Sequence, residues 1–364
     1  MLDIRSSEIC AAVGERGVNN TFIIKSKYSC EYDGYADGEL LDVKSFNSAV
    51  TECVKNTLAA AGCKVTKFFV GVPGEFLRVI NTDKVLSFPS PKKIRGAQLD
   101  QLNELSRPQP VSGFTEIKCS PVYYVMSDKR RMIDPYGCVT DSLRAKLCWF
   151  LCKSSFAECV VNALNRFSSV RDVEFIPSPL AEVNYLLAPE LRDGCAALFD
   201  LGYISSTYSV SCGNGVLFSR SFSVGIGHVA VLLSEELNIP FEVASEFLSK
   251  VNLNAKEHLT SIQEIRYEGQ IYSFSTANLR DIIREGLDGI CETIEACRQS
   301  FGEKDMSGKP LYVTGEGVKI VRGTAEHLSS RLVCAVNVVA PTVPYYDKPQ
   351  FSSLYSLLDA ALGD

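Results

Sequence analysis

Two short hairpins and one glycine turn carry the residues best suited to chemistry. The first hairpin is Leu2-Asp3-Ile4-Arg5-Ser6-Ser7; the second is Phe199-Asp200-Leu201-Gly202-Tyr203, followed by Ser205, Ser206 and Thr207. A tight turn between strands presents successive backbone N–H groups, and hydroxyl side chains add donors. Two such turns facing each other form a clamp for a polyphosphate. An acid at the end of each first strand, Asp3 and Asp200, can hold a hydrated Mg²⁺ between them. The third feature is an apolar strand, Leu311 to Thr314, running into Gly315-Glu316-Gly317 and then a helix. Glycines there let the backbone approach an adenine and ribose closely.

These turns need a scaffold, and the hydrophobic spacing supplies one. Leu2 to Ile4, Glu8 to Val13 and Thr21 to Ser26 read as strands. Val43, Phe46, Val50, Val54 and Leu58 keep three- and four-residue spacing, which predicts a helix over Asp42 to Ala61, ended by Gly62. A buried strand follows at Lys67 to Val72. From Phe88 to about Phe167 the order reads helix, strand, turn, strand, helix, as a separate α+β insertion. Its strands are Glu116 to Met126 and Asp141 to Cys152, and its last helix is Ser155 to Phe167. The α/β theme resumes at Asp172 to Pro177. A second lobe opens near Cys195 with strands at Ala196 to Asp200, Thr207 to Cys212 and Val216 to Val224. Gly213-Asn214-Gly215 turns the last two into a hairpin. Helices are expected over Gly227 to Leu237, Phe241 to Ser249 and Leu279 to Phe301, and a last strand near Val333 to Val338. The chain divides as 1–86 and 169–193 for the first lobe, 87–168 for the insertion, and 194–364 for the second lobe, with a small peripheral subdomain around 241–278. The strand–acid–turn–strand echo between the halves is the main organisational signal.

Composition narrows the classes. A net charge of −6 gives no electrostatic basis for nucleic acid as a partner. Fourteen cysteines contain no Cys-x-x-Cys pair, and three histidines cannot complete the usual zinc sets, so the thiols read as reduced, small buried hydrophobes of a cytoplasmic chain. His228, His258 and His327 lie outside the three features above and read as packed or surface residues. No run approaches the length of a membrane span. Phe351 to Asp364 lacks the Lys/Arg face of a membrane-surface helix, so no membrane anchor is expected and the stretch is expected to pack on its own domain.

Taken in order, these segments resemble FtsA, the bacterial cell-division protein of the actin-like ATPase superfamily, over nearly the whole chain. Asp3 to Ile9 is similar to its first phosphate motif. Gly38 to Asp42 and Phe69-Val70-Gly71-Val72-Pro73-Gly74 resemble the stretch before its insertion, and Ile133 to Gly137 a segment within it. Ser178-Pro179-Leu180-Ala181 resembles its connector, Phe199 to Thr207 its second phosphate motif, Val224 to Gly227 the entry to the next helix, and Thr314 to Gly317 its adenosine motif. The resemblance implies a two-lobed actin-like (ribonuclease H-like) α/β fold with an inserted α+β subdomain. It also implies a scaffold that self-associates, even to a homo-polymer, and recruits protein partners such as the tail of FtsZ, at the inner face of the membrane through those partners. ATP with Mg²⁺ would then lie on Asp3, Ser6, Ser7, Asp200, Gly202, Ser205, Ser206, Gly315 and Gly317, with Asp3 and Asp200 reaching the metal through water.

The departures from the family bear on ATP. Arg5 stands where the family has glycine and Glu8 where it has lysine. Tyr203 and Ile204 replace two glycines of the second motif, Ser245 falls where a ribose-binding acid is expected, and Glu316 replaces the middle glycine of the adenosine turn. Tyrosine and isoleucine enter the left-handed region only at a cost, so the second turn should lose backbone donors. The expected cleft is degenerate, with weak ATPase activity at most and no identifiable general base. Two alternatives stand beside the division scaffold. One is a PilM-like pilus or secretion assembly protein that binds a peptide of an inner-membrane partner. The other, an actin-superfamily small-molecule kinase, lacks a catalytic acid or histidine next to a substrate pocket.

Overall fold

The computed structural model describes residues 1–18, 22–63, 65–255, 261–302 and 306–363; Thr21 and His258 of the sequence-based readings lie outside them. The first lobe begins with β1 (Leu2–Ile4), β2 (Glu8–Arg16) and β3 (Phe22–Glu31). A two-strand ribbon, β4 (Tyr35–Ala36) and β5 (Glu39–Leu40), leads to α1 (Val43–Ala61) and β6 (Lys67–Val72). Asp42 caps α1 by accepting from Lys44 N at 2.7 Å, and Gly62 ends it at a φ of 62°. Phe46, Val50, Cys53 and Val54 of α1 are buried against the sheet, as their spacing predicts.

The insertion follows as β7 (Leu77–Lys93), α2 (Gly96–Ser106), β8 (Phe114–Met126), β9 (Arg131–Met132) and β10 (Val139–Lys153), with sheet order β7-β10-β8-β9. Here the sequence reading needs correction. Phe88 does not open a helix; it lies inside the 17-residue β7, which runs straight through residues 86 and 87. The chain returns through α3 (Ser154–Leu164) and β11 (Asp172–Pro177) to complete the first sheet, in the order β11-β6-β1-β2-β3. α4 (Ser178–Leu186) and α5 (Pro189–Asp193) lead onward.

The second lobe repeats the pattern. It contains β12 (Ala196–Leu201), β13 (Ser206–Cys212), β14 (Gly215–Phe222), α6 (Gly227–Leu237) and α7 (Phe241–Lys250). The ribbon β15 (Ile262–Tyr267) and β16 (Gln270–Ser275) precedes α8 (Thr276–Phe301), β17 (Leu311–Thr314), α9 (Glu316–Ile320), α10 (Thr324–Arg331) and β18 (Val336–Val338). Its sheet order is β14-β13-β12-β17-β18, strand for strand the arrangement of the first lobe. Each sheet therefore has a central strand, β1 or β12, paired antiparallel with the next strand and parallel with a later one. β18 starts at Val336 rather than Val333, which sits exposed at a φ of 50°.

The last helix, α11 (Ser352–Gly363), packs mainly on the first lobe and meets the second at Ser352, which corrects the expectation that it stays with its own domain. Leu354 and Leu358 join Cys10 and Ala12 of β2, and Leu357 joins Ile176 and Ala181. Gly71 makes the approach possible: a Cβ there would lie 2.4 Å from Leu357 Cδ1. Leu357 is fully buried. Leu357→Ala should therefore destabilise the protein by about 2–5 kcal/mol, the usual cost of truncating a buried leucine. The shift of the urea midpoint checks this, and an unchanged midpoint would mean that α11 is not docked.

Candidate functional site

β1 and β12 point their acids into the space between the lobes. Leu2 and Ile4 face the first core, so strand alternation sends Asp3 to the opposite face, where it is 1% exposed. The Arg5-Ser6-Ser7 turn is closed by Arg5 N donating to Glu8 O at 2.9 Å. The Arg5 side chain then folds back into the cleft. Its Nε lies 3.3 Å from Asp3 Oδ2 and its Nη2 lies 3.2 Å from Glu8 Oε2. Asp3 Oδ1 accepts from Ser353 Oγ at 2.7 Å, so α11 reaches the same acid.

Across the cleft, Asp200 pairs with Thr314 of β17 and sits under the glycine turn. Gly315 has a φ of 94°, and a Cβ there would meet Asp200 Oδ1 at 2.3 Å, so only glycine fits. Neither Tyr203 nor Ile204 takes a positive φ; the turn has settled into conformations open to any residue. It keeps two backbone donors, both satisfied by the chain's own side chains. Ile204 N donates to Ser6 Oγ at 3.1 Å, directly from lobe to lobe, and the Tyr203 N–H donates to the Glu316 carboxylate. A second lobe-bridging contact, Thr314 Oγ1 to Ser352 Oγ at 2.6 Å, is fully buried.

What remains is a cavity of about 50 Å³. Arg5, Ser6, Asp200, Gly202, Ser205, Gly315 and Glu316 line it, as the sequence grouped them. Asp3 lies beneath Arg5. Ser7, Ser206 and Gly317 are not brought to it: Ser206 is buried in β13, and Gly317 packs on Leu201. Ser245 lies beside the second turn, 3.4 Å from Tyr203 OH. Sequence reasoning missed Glu182, Gln350 and Ser353, which also line the cavity. Glu182 follows directly on the Ser178-Pro179-Leu180-Ala181 connector, the one local signal that pointed to it. His228 accepts from Gly225 N at 3.2 Å and His327 pairs with Asp288 at 2.9 Å. Neither lines the cavity.

Burial of several acids around one cation shapes the electrostatics. Burial pushes Asp200 up to about 7, and the Glu316 and Asp3 carboxylates push the same way against Arg5. Burial likewise drives Glu182 well above the carboxylate range, with Asp200 and Asp3 adding to it. Asp3 and Glu316 are raised for the same first reason, each partly offset by Arg5. Arg5 keeps its proton: burial opposes the charge, but Asp3 and Glu8 outweigh it.

No family model matches the chain. Cell division protein FtsA of Pseudomonas aeruginosa is 18% identical over 330 residues, covering 89% of this chain and 78% of that protein. FtsA of Streptococcus pneumoniae is 21% identical over 369 residues, covering 99% and 79%. Among solved structures, the PilM–PilN type IV pilus biogenesis complex matches with a TM-score of 0.65 at 15% identity, over 99% of this chain and 97% of that chain. MreB5 of Spiroplasma citri bound to ADP matches with a TM-score of 0.58 at 9% identity, over 100% and 97%. The chain is thus similar to FtsA over most of its length and has the actin-like fold of these structures. The expected fold class is therefore the observed one, and the cleft lies between two sheets of the same strand order.

The raised acids fix a pH dependence. Between an unfolded value near 4 and the folded value of about 7, Asp200 holds a proton when folded and releases it when unfolded. Its contribution to stability therefore falls as pH rises through that window. Asp200→Asn should raise the melting temperature at pH 8 by a few degrees and change it little at pH 5. Equal shifts at both pH values would contradict the raised pKa.

Proposed function

We propose that this FtsA-like chain is an actin-like scaffold that recruits protein partners and self-associates, with an interlobe cleft closed by its own side chains. The carrying observation is Arg5: its guanidinium occupies the space between the two acid-bearing strands and pairs with Asp3 and Glu8. The residues do not fit ATP with Mg²⁺. Asp3 Oδ1 is taken by Ser353, its Oδ2 is ion-paired with Arg5 at 3.3 Å though without a hydrogen bond, and the Tyr203 and Ile204 N–H groups face the chain's own side chains. Nucleotide-sized ligands need pockets of roughly 300 Å³ or more, against about 50 Å³ here.

The partner, on the FtsA resemblance, is the C-terminal tail of an FtsZ-type protein. The high TM-score to the PilM–PilN complex supports a second reading, in which the partner is a peptide of an inner-membrane pilus or secretion protein. Among the described residues no helix is long and apolar enough to cross a membrane.

Two measurements test the proposal. Titration calorimetry with ATP and Mg²⁺ should give no binding tighter than about 100 μM, and Arg5→Gly should tighten it at least about tenfold by removing the competing cation. Micromolar binding by the unaltered protein would overturn the closed-cleft reading. A pull-down comparing the FtsZ tail and the pilus-type peptide from the same genome separates the two partners. Capture of neither would sink the scaffold reading in both forms.

A further inference from the structure

A second cluster of reactive groups lies outside the cleft, where the inserted sheet meets the second lobe. β12 and β13 pair antiparallel with Ala196 opposite Ser211. Cys195, just before β12, leaves the strand at a φ of 61°, and its thiol lies next to that of Cys212 at the end of β13. The neighbouring turn is tied down by Cys195 N and Gly213 N, which both donate to Arg192 O at 3.0 and 3.1 Å. From β9 of the insertion, Arg131 reaches across and places Nη2 2.6 Å from Cys212 Sγ. Its guanidinium lies 4.2 Å from the Tyr123 ring centre, which fixes its direction. Lys309, anchored on Gly194 O, adds a second positive charge.

The surroundings decide which sulfur carries the charge. The hydrogen bond from Cys195 pushes the Cys212 thiol down to about 6, against burial and with help from Arg131 and Lys309. Cys195 is pushed up in turn. Cys30 and Cys53 form an internal comparison. They too are hydrogen-bonded to each other, but Glu52 is their charged neighbour in place of a cation, and burial raises both. A hydrogen-bonded cysteine pair is therefore not enough; the two cations set Cys195 and Cys212 apart.

We propose that Cys195 and Cys212 are a redox-active dithiol that a peroxide closes to a disulfide, and that its state governs how firmly the inserted sheet holds the second lobe. Cys212 is only 1% exposed, so the oxidant must be small. A recess of about 300 Å³ lined by Arg131, Met132, Ile133 and Asp193 opens beside it, and Cys195 is half-buried. The Cys212 thiolate attacks one oxygen of hydrogen peroxide; an S–O bond forms, the O–O bond breaks, and the leaving hydroxide takes a proton to become water. The Cys195 sulfur then attacks the Cys212 sulfenic acid. The S–S bond forms, the S–O bond breaks, and the Cys195 proton leaves with the hydroxide as a second water. Two thiols lose two electrons and one peroxide is reduced to two waters. Closure removes the anion that Arg131 grips, and so weakens one of the insertion's polar contacts with this edge, beside Ser120 Oγ to Asn214 O and Asn81 Nδ2 to Leu217 O, both at 2.8 Å.

The test uses the full chain and does not depend on the cleft. After peroxide treatment, peptide mapping should find a Cys195–Cys212 crosslink that dithiothreitol reverses. In Cys195→Ser, dimedone should trap a sulfenic acid on Cys212. Arg131→Gln should slow Cys212 oxidation about tenfold. Without any variant, the rate of Cys212 alkylation against pH should show a midpoint near 6. The proposal is overturned if Cys212 stays reduced after the exposed Cys63 has been oxidised, or if the alkylation midpoint lies above 8. Hydrogen exchange in β9 should speed up on oxidation, and unchanged exchange there would overturn the link to the insertion.

Discussion

Arg5 carries a positive charge into a space that water barely enters, and its surroundings have to answer that charge. Taking a guanidinium out of water costs several kcal/mol unless carboxylates and hydrogen bonds meet it. Asp3 and Glu8 meet it at 3.3 and 3.2 Å. That pair then limits everything nearby. One cation cannot neutralise Asp3, Glu182, Asp200 and Glu316 together, and burial raises all four carboxyls.

The sequence displayed the departures from the FtsA pattern but not their partners. Arg5 and Glu316 stood out because they replace glycines. Nothing local indicated that Ser353, 350 positions away, would hold Asp3, or that Glu316 would take the Tyr203 N–H. Loss of positive φ at Tyr203 and Ile204 was legible, yet the turn did not lose its donors. It turned them onto Ser6 and Glu316. Long-range pairing decided the site, and residue types alone do not encode it.

The fold was more legible where local rules and tertiary packing agree. α1 had periodicity, an Asp42 cap and a Gly62 stop, and it formed where they indicate. β7 was missed because Pro89 and Pro91 read as breakers and charged residues recur along it. β7 is an edge strand, paired on one side only with β10, and an edge tolerates proline on its open side. The cysteines divide the same way. Half of them are buried, as composition suggests, and burial raises Cys148, Cys152 and Cys291, and also the half-buried Cys119. Cys212 differs because Arg131 arrives from a different sheet, a juxtaposition no spacing rule records.

The cleft contacts also determine how the chain can change shape. In this chain the lobes touch through Ile204 and Ser6 and through Thr314 and Ser352, while α11 spans from the second lobe to Asp3 and the first sheet. Separating the lobes must break those bonds and leave buried donors unmet, at roughly 1–3 kcal/mol for each orphaned group. A nucleotide would have to supply that free energy before gaining any contact of its own. A protein partner acting on the outer faces faces no such barrier, because it can bind with the cleft shut. The closed cleft therefore favours control through surfaces, and the inserted sheet, joined to the second lobe by Val122, Cys148 and Cys212, is the surface mechanically closest to both lobes.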